Sequence, residues 1–108
     1  MITLEDLKKV EIKVGTVKSA EKIPETDKLL RLEVDFGEAA LRQIVSGISA
    51  YVPDPSALVG KQLAFVTNLE PRTIKGFESN GMLFAVGEGE SFAFITPDRA
   101  VPPGTSAH

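Results

Sequence analysis

The segment LRLEVDF, residues 30–36, carries the clearest structural signal in the chain. Its apolar side chains occupy every second position and its charged side chains the positions between, which predicts a β-strand with one buried and one solvated face. A turn cluster, PETD at residues 24–27, precedes the segment, and GEA at residues 37–39 follows it. These turns predict that neighbouring strands fold back on both sides.

The flanking sequence contains those neighbours. Alternating apolar residues at 10–14 predict a long first strand that bends where Gly15 interrupts the pattern, and residues 41–45 return as a third strand. The full set of predicted elements is a short helix to about residue 10, strands at 10–23, 30–36, 41–45, 61–69, 82–86 and 92–95, a helical turn within 49–60, a basic loop at 70–76 and an extended tail at 97–108.

Five or six strands with one short helical segment between the third and fourth fit an all-β, five-stranded Greek-key barrel of the OB type. The 108 residues suffice for one such domain, so we predict a single domain spanning 1–108. In barrels of this type the second and third strands, with the loops joining strands one to two and four to five, commonly bind oligonucleotides or oligosaccharides. The predicted fold therefore says where a ligand would lie.

The composition argues against catalysis. The chain has no cysteine, and its single histidine is the terminal residue His108, so thiol nucleophiles, thiolate metal sites and a serine–histidine pair are excluded. No glycine-rich phosphate loop with its lysine is present. We expect a protein that is not an enzyme, with no metal and no cofactor.

The chain also lacks the marks of a membrane or exported protein. No apolar run approaches the roughly 20 residues of a spanning helix, and Glu5 and Asp6 stand where a signal peptide would place its apolar stretch. We therefore expect a cytoplasmic location and no membrane partner.

The net charge of −3 argues against a protein that binds nucleic acid mainly by bulk attraction. Residues 1–75, however, hold 11 of the 12 basic side chains and 11 of the 15 acidic ones, so the acidity belongs to the C-terminal third. Any polyanion site must therefore be a local cluster. The bases that we expect to converge on the predicted ligand face are Lys28, Arg31, Arg42, Arg72 and Lys75.

Residues 71–81 have the composition of a preorganised donor loop, because Gly76 and Gly81 allow tight turns and the basic and amide side chains supply donors. An ordinary surface connection is an equally good interpretation. Asn68 either satisfies a turn or contacts a ligand. Phe77 either stacks on a base or closes the barrel end, and Met82 either fills the core or packs on a base or sugar.

Several strings coincide with one known family. They are VEIKVG at 10–15, DKLL at 27–30, VDFG at 34–37, RQIVSGI at 42–48, LVGK at 58–61, NLEPR at 68–72 and KGFESNGM at 75–82. Together they resemble the tRNA-binding domain family, whose members include stand-alone structure-specific tRNA-binding proteins, the C-terminal domain of methionyl-tRNA synthetases, cytokine-like synthetase cofactors and the CsaA-type chaperone. The resemblance covers about residues 5–104, and the chain length suggests the stand-alone form.

The resemblance implies an OB-fold homodimer that binds tRNA by its shape, with short helices and extra terminal strands outside the barrel at the dimer interface. An aminoacyl-tRNA synthetase is a further implied partner. The positions that match the family's RNA contacts are Lys28, Arg42, Asn68, Arg72, Lys75, Ser79 and Met82. Arg31 joins this set because of its place on the second strand.

The sequence departs from the family in the loop before the fifth strand. Family members commonly have Lys-Pro-Arg-Lys there, whereas this chain has Glu70 before Pro71 and Thr73 after Arg72. Since each lost phosphate contact reduces the salt dependence and the affinity, we expect modest, salt-sensitive tRNA binding. The weakened charge keeps two alternatives open, which are a CsaA-type chaperone that binds unfolded polypeptide and a docking accessory of a synthetase.

Overall fold

The computed structural model describes all residues from 1 to 108 and consists mostly of short antiparallel strands. Thr3 caps the only α-helix, because its side chain accepts a hydrogen bond from the Asp6 backbone while the Asp6 side chain accepts one from Thr3. The elements are α1 (Leu4–Leu7), β1 (Ile12–Lys22), β2 (Leu30–Asp35), β3 (Arg42–Ser46), β4 (Gln62–Val66), β5 (Arg72–Ile74), β6 (Phe77–Ser79), β7 (Met82–Leu83), β8 (Ala85–Val86) and β9 (Ala93–Phe94), with 3₁₀ turns at Ser49–Tyr51, Pro55–Leu58 and Gly89–Ser91.

The main sheet has five strands in the order β3-β2-β1-β4-β7, and all neighbours are antiparallel. It curls until β3 meets the chain that leads into β7. There the Asn80 backbone nitrogen donates to the Gln43 carbonyl at 2.8 Å, and the Val45 nitrogen donates to the Ser79 hydroxyl at 3.0 Å. The structure confirms the prediction of an all-β barrel of the OB type.

The core lies inside this barrel, as the alternation in residues 30–36 predicted. Leu30, Leu32 and Val34 of β2 are fully buried, and the residues between them are partly exposed. Phe36 and Phe65 meet edge to face across the interior, with ring centroids 5.4 Å apart. Twelve of the 16 buried apolar side chains form one continuous cluster, which is the core of the barrel.

Three predicted elements are wrong in detail. The basic loop at 70–76 is in fact half of a β-hairpin, in which β5 and β6 pair around Lys75 and Gly76. Both turn residues have positive φ, 50° and 84°, which suits the right-handed twist of a two-residue hairpin. The predicted strand 82–86 is split into β7, which pairs with β4, and β8, which pairs with β9. The predicted fourth strand ends at Val66 rather than at residue 69.

The C-terminal tail packs on the body of its own chain. Ladder hydrogen bonds join it to β1, from the Gly104 nitrogen to the Val14 carbonyl at 2.7 Å and from the Ala107 nitrogen to the Ile12 carbonyl at 2.8 Å. The side chain of Gln62 binds both backbone groups of Val101. The tail therefore extends the sheet beside α1. No helix of the structure has the length and apolar character needed to cross a membrane.

Candidate nucleic-acid interface

A groove runs between the β1–β2 connection and the β5–β6 hairpin. It consists of two adjoining depressions of about 610 and 350 Å³ that share Glu25, Thr26 and Lys75. Glu25 and Lys75 both have left-handed backbone conformations, with φ of 65° and 50°, so a tight turn forms each wall. We call this depression the hairpin groove. Its other lining residues are Ile23, Pro24, Asp27, Lys28, Leu29, Ile74 and Phe77.

Three exposed cations lie on the hairpin groove or on the hairpin itself. Lys28 and Lys75 line the groove, and Arg72 begins β5. None of the three forms an ion pair. The backbone carbonyl of Lys28 accepts a hydrogen bond from the Ser49 nitrogen at 3.0 Å, which fixes this part of the turn. These cations are free to meet an anionic ligand.

The hairpin groove also contains an aromatic ring and two acids. Phe77 is partly exposed where it lines the groove. Glu25 and Asp27 stand on the same walls as the two lysines and reduce the local positive charge. The groove therefore combines cationic, acidic and aromatic contacts, in contrast to a purely basic channel.

Arg31 is held in a polar network on the outer face of the sheet. Its guanidinium contacts Glu21 at 2.8 Å and Glu33 at 3.9 Å, and its Nε donates to the Gln43 side chain at 2.6 Å. Since Arg31 pairs with Val45 across the strands, it shares the outer face with that residue. Its contact with RNA remains a prediction, and its charge is already largely offset.

Arg42 lies on the opposite face from Arg31. It pairs with Val34, a core residue, so its side chain starts from the interior side of β3 and covers the barrel end, with the guanidinium carbon 5.3 Å from the Phe36 ring centroid. Two parallel hydrogen bonds of 2.8 Å join Arg42 to Glu38. The expectation that all five bases share one face is therefore wrong, because Arg31 and Arg42 project from opposite faces of the sheet.

The ion pair of Arg42 changes the titration of both partners. Hydrogen bonds from the guanidinium hold the pKa of Glu38 below its usual value. The same hydrogen bonds raise the pKa of Arg42 further. Glu38 did not figure among the predicted residues, although its position four residues before Arg42, across a turn, was a usable signal.

Asn68 and Ser79 have structural partners. The Asn68 side chain accepts from the Glu11 nitrogen at 2.8 Å and donates to the Lys9 carbonyl at 2.7 Å. The Ser79 hydroxyl, 1% exposed, donates to the Gly81 carbonyl at 3.0 Å and accepts from the Val45 nitrogen. Both residues support the surfaces near them, and their contact with RNA stays a prediction.

Met82 stands in an apolar row on the outside of the barrel. It pairs with Val66, which pairs in turn with Ile12. Met82 is 37% exposed, and Phe84 is 39% exposed two residues later on the same side. Of the two interpretations open for Met82, the core role is wrong, because its side chain faces outward.

A second groove, of about 560 Å³, lies where the two ends of the chain meet, between α1 and the tail. Leu4, Leu7 and Val10 line it, and each of these side chains is about half exposed or more. Tail residues Ser106 and Ala107 form the facing wall. We call this depression the terminal groove.

Comparison with known proteins gives consistent results. The family model described as "Putative tRNA binding domain" matches residues 12–106. Methionine–tRNA ligase of Methanoregula boonei is 52% identical over 105 residues, and that of Helicobacter pylori strain J99 is 50% identical over 98 residues, which are 97% and 91% of this chain. The chain spans only 15% of the length of either relative.

Solved structures match over the whole chain. The MetRS-related protein of Pyrococcus horikoshii is 41% identical, with a TM-score of 0.89, and the match covers 100% of this chain and 98% of that one. The chaperone CsaA of Bacillus anthracis is 31% identical, with a TM-score of 0.87, and the match covers 100% and 99% of the two chains.

Proposed function

The chain belongs to the tRNA-binding domain family, and from this premise we propose that it is a non-catalytic protein that binds structured RNA, with tRNA as its ligand. The observation that supports this most directly is the set of three cations without an ion pair, of which Lys28 and Lys75 line the hairpin groove and Arg72 begins the β5–β6 hairpin. They are the predicted contact residues whose charge no carboxylate of the chain offsets by an ion pair. Complementarity to the RNA, without bond chemistry, is the proposed mechanism.

The charge distribution sets the expected strength of binding. The chain carries a net charge of −3, so only local contacts attract phosphate. Three phosphate contacts correspond to a salt slope of about −2.7 on duplex-like RNA, at about 0.9 for each contact. Glu25 and Asp27 on the groove walls weaken the attraction further. We therefore propose weak, salt-sensitive binding by one protomer.

The aromatic ring in the hairpin groove favours RNA with an unpaired nucleotide at the contact point. A base that enters beside Phe77 would gain about 1–3 kcal/mol from stacking. Its flanking phosphates would meet Lys28 and Lys75. Folded tRNA offers such nucleotides in its loops, held in a fixed arrangement.

A homodimer would double these contacts. We propose that the terminal groove is where the second copy docks, because the same region supplies both a groove and protruding apolar residues. Met1 and Ile2 are strongly exposed beside the groove-lining Leu4 and Leu7. A twofold axis can place the protruding apolar residues of each protomer in the terminal groove of the other, which buries both surfaces. Two linked sites then bind one folded RNA with a higher effective concentration.

A polypeptide-binding role of the CsaA kind is the second candidate. The likeness to CsaA covers the whole chain, and Met82, Phe84 and Val86 expose apolar side chains in alternate positions of β7, β8 and the residue between them. Docking to a synthetase is a further proposed partnership, suggested by the relatives that carry this domain within a methionine–tRNA ligase. All three roles fit a cytoplasmic protein, which we propose here.

Binding assays with matched ligands separate the candidates. Folded tRNA, an unstructured RNA of equal length and an unfolded polypeptide are each titrated at two salt concentrations. RNA binding predicts a preference for folded tRNA that weakens as salt rises. Salt-independent capture of the polypeptide alone would instead support the chaperone role and contradict the proposal.

A further inference from the structure

The carboxylate of Glu38 occupies the part of Arg42 that a phosphate would use. Glu38 lies in the exposed turn between β2 and β3, and Arg42 is the first residue of β3. The Arg42 Nε donates to Glu38 Oε1 at 2.8 Å and its Nη2 donates to Oε2 at 2.8 Å. This is the bidentate geometry in which arginine also binds phosphate.

Most of the remaining N–H donors of Arg42 form hydrogen bonds with backbone carbonyls of the barrel. Its Nη1 donates to the Thr67 carbonyl at 2.7 Å and, with a longer contact of 3.4 Å, to the Asn80 carbonyl. A guanidinium has five N–H groups, so only one of them, on Nη2, lacks an intramolecular acceptor. Both carbonyls belong to the backbone where the barrel closes, so they cannot move away from Arg42 without disturbing the barrel. The Glu38 side chain is the one partner that a rotation about single bonds removes.

The exposure of the ion pair allows a phosphate to replace the Glu38 carboxylate. The Glu38 side chain is 40% exposed and that of Arg42 is 24% exposed, so water reaches both groups. Ion pairs that water reaches typically contribute about 0–1 kcal/mol to stability, and the bidentate geometry of this pair places it at the upper end of that range. An RNA phosphate can therefore replace the carboxylate at small cost to the fold, while Thr67 keeps the guanidinium in place.

We propose that Glu38 is an internal competitor for RNA phosphate at Arg42, and that its displacement adds a phosphate contact to those of the hairpin groove. The inference rests on the proposed RNA binding and identifies the residue that limits its affinity. Arg42 contributes nothing to the initial attraction, because its charge is paired in the free protein. It binds phosphate only after Glu38 rotates away.

The test compares Glu38→Gln with Glu90→Gln, which removes the same charge from an exposed residue that forms no ion pair. Affinity for folded tRNA is measured over a range of salt. We expect Glu38→Gln to bind roughly three- to fivefold more tightly than the wild type. The salt slope should stay close to that of the wild type, because the wild-type complex contains the same Arg42 phosphate contact once Glu38 has rotated away. Glu90→Gln should show a smaller gain and an unchanged slope.

The same comparison in an Arg42→Lys background tests the mechanism. Lysine keeps the charge but lacks the planar fork, so the gain from Glu38→Gln should shrink to that of Glu90→Gln. Arg42→Ala serves as a second background if melting curves show that it folds. Equal effects of Glu38→Gln and Glu90→Gln on a wild type that binds tRNA would overturn the competition alone. Absence of salt-dependent tRNA binding in both the wild type and Glu38→Gln would overturn the competition and the proposed function together.

Discussion

Asn68 fastens the N-terminal segment to the barrel through Glu11. Its Oδ1 accepts the Glu11 backbone N–H at 2.8 Å, and its Nδ2 donates to the Lys9 carbonyl at 2.7 Å. Beside it the Thr67 hydroxyl donates to the Glu11 carboxylate at 2.6 Å. The chain just after α1 is therefore positioned by the two residues that follow β4, and with it one wall of the terminal groove.

Substitution of Asn68 by alanine should destabilise the fold. Two hydrogen bonds are lost, each with a net contribution of about 0.5–1.5 kcal/mol, so a decrease of about 1–3 kcal/mol in the free energy of unfolding is expected in urea titrations. Asn80→Ala is the matched control, because the Asn80 side chain makes no intramolecular hydrogen bond. Equal midpoints for Asn68→Ala and the wild type would contradict the structural role.

Gly15 should tolerate no side chain, because β1 passes directly over two core residues there. A Cβ at this position would overlap the Val34 Cγ1 and lie 2.7 Å from the Phe36 ring. Overpacking of this kind costs about 1–3 kcal/mol, so Gly15→Ala should lower the urea midpoint. Gly47→Ala, with open space around the position, should change it little. If the cause is overlap, adding Val34→Ala to Gly15→Ala should lose less stability than the two single changes together.

The sequence predicted the parts of the fold whose pattern is local. Residues 30–36 alternate strictly, so the strand and its buried face could be read directly. The β5–β6 hairpin could not, because its arms have three residues each and its turn uses Lys75 where glycine or asparagine is usual.

The site prediction was wrong where the direction of a side chain depends on how the barrel closes. Alternation shows that Arg42 and Gln43 point to opposite sides of β3, but it does not show that the interior side carries the arginine at the barrel end. The spacing of Glu38 and Arg42 across a turn was a signal for their ion pair, but the sequence does not show its place at the barrel end. Lys28 and Lys75, by contrast, were correctly assigned to loops that converge, because loops one to two and four to five adjoin in any barrel of this order.

The hydrogen bond from Thr67 to the Glu11 carboxylate should make the free energy of unfolding depend on pH in the acid range. The hydrogen bond from the Thr67 hydroxyl holds the pKa of Glu11 below its ordinary value of 4.5. A carboxylate with a lowered pKa in the folded state stabilises above its ordinary pKa and loses that contribution as the pH falls through the folded value. Urea midpoints measured between about pH 6 and pH 3 should therefore fall less steeply in Glu11→Gln and in Thr67→Val than in the wild type. Parallel pH profiles for all three proteins would contradict this role.

The proposed dimer should be sensitive to charge in the terminal groove. Leu7 is 53% exposed in the protomer, so Leu7→Glu should leave folding intact and place a carboxylate in an apolar contact between copies. Sedimentation should show a dimer for the wild type and a monomer for this variant at the same concentration. Val59→Glu, at a residue 50% exposed outside the groove, is the control and should remain dimeric. A monomeric wild type would exclude this interface.

Lys28 and Lys75 should each contribute one phosphate contact to tRNA binding. Neither forms an ion pair, so Lys28→Gln or Lys75→Gln should weaken binding without changing the melting temperature. For each variant the magnitude of the salt slope should decrease by about 0.9. Lys61→Gln provides the control, since Lys61 is exposed and lines neither groove. If all three lysine variants lose the same small amount of affinity, the RNA responds to net charge alone and the hairpin groove is not its site.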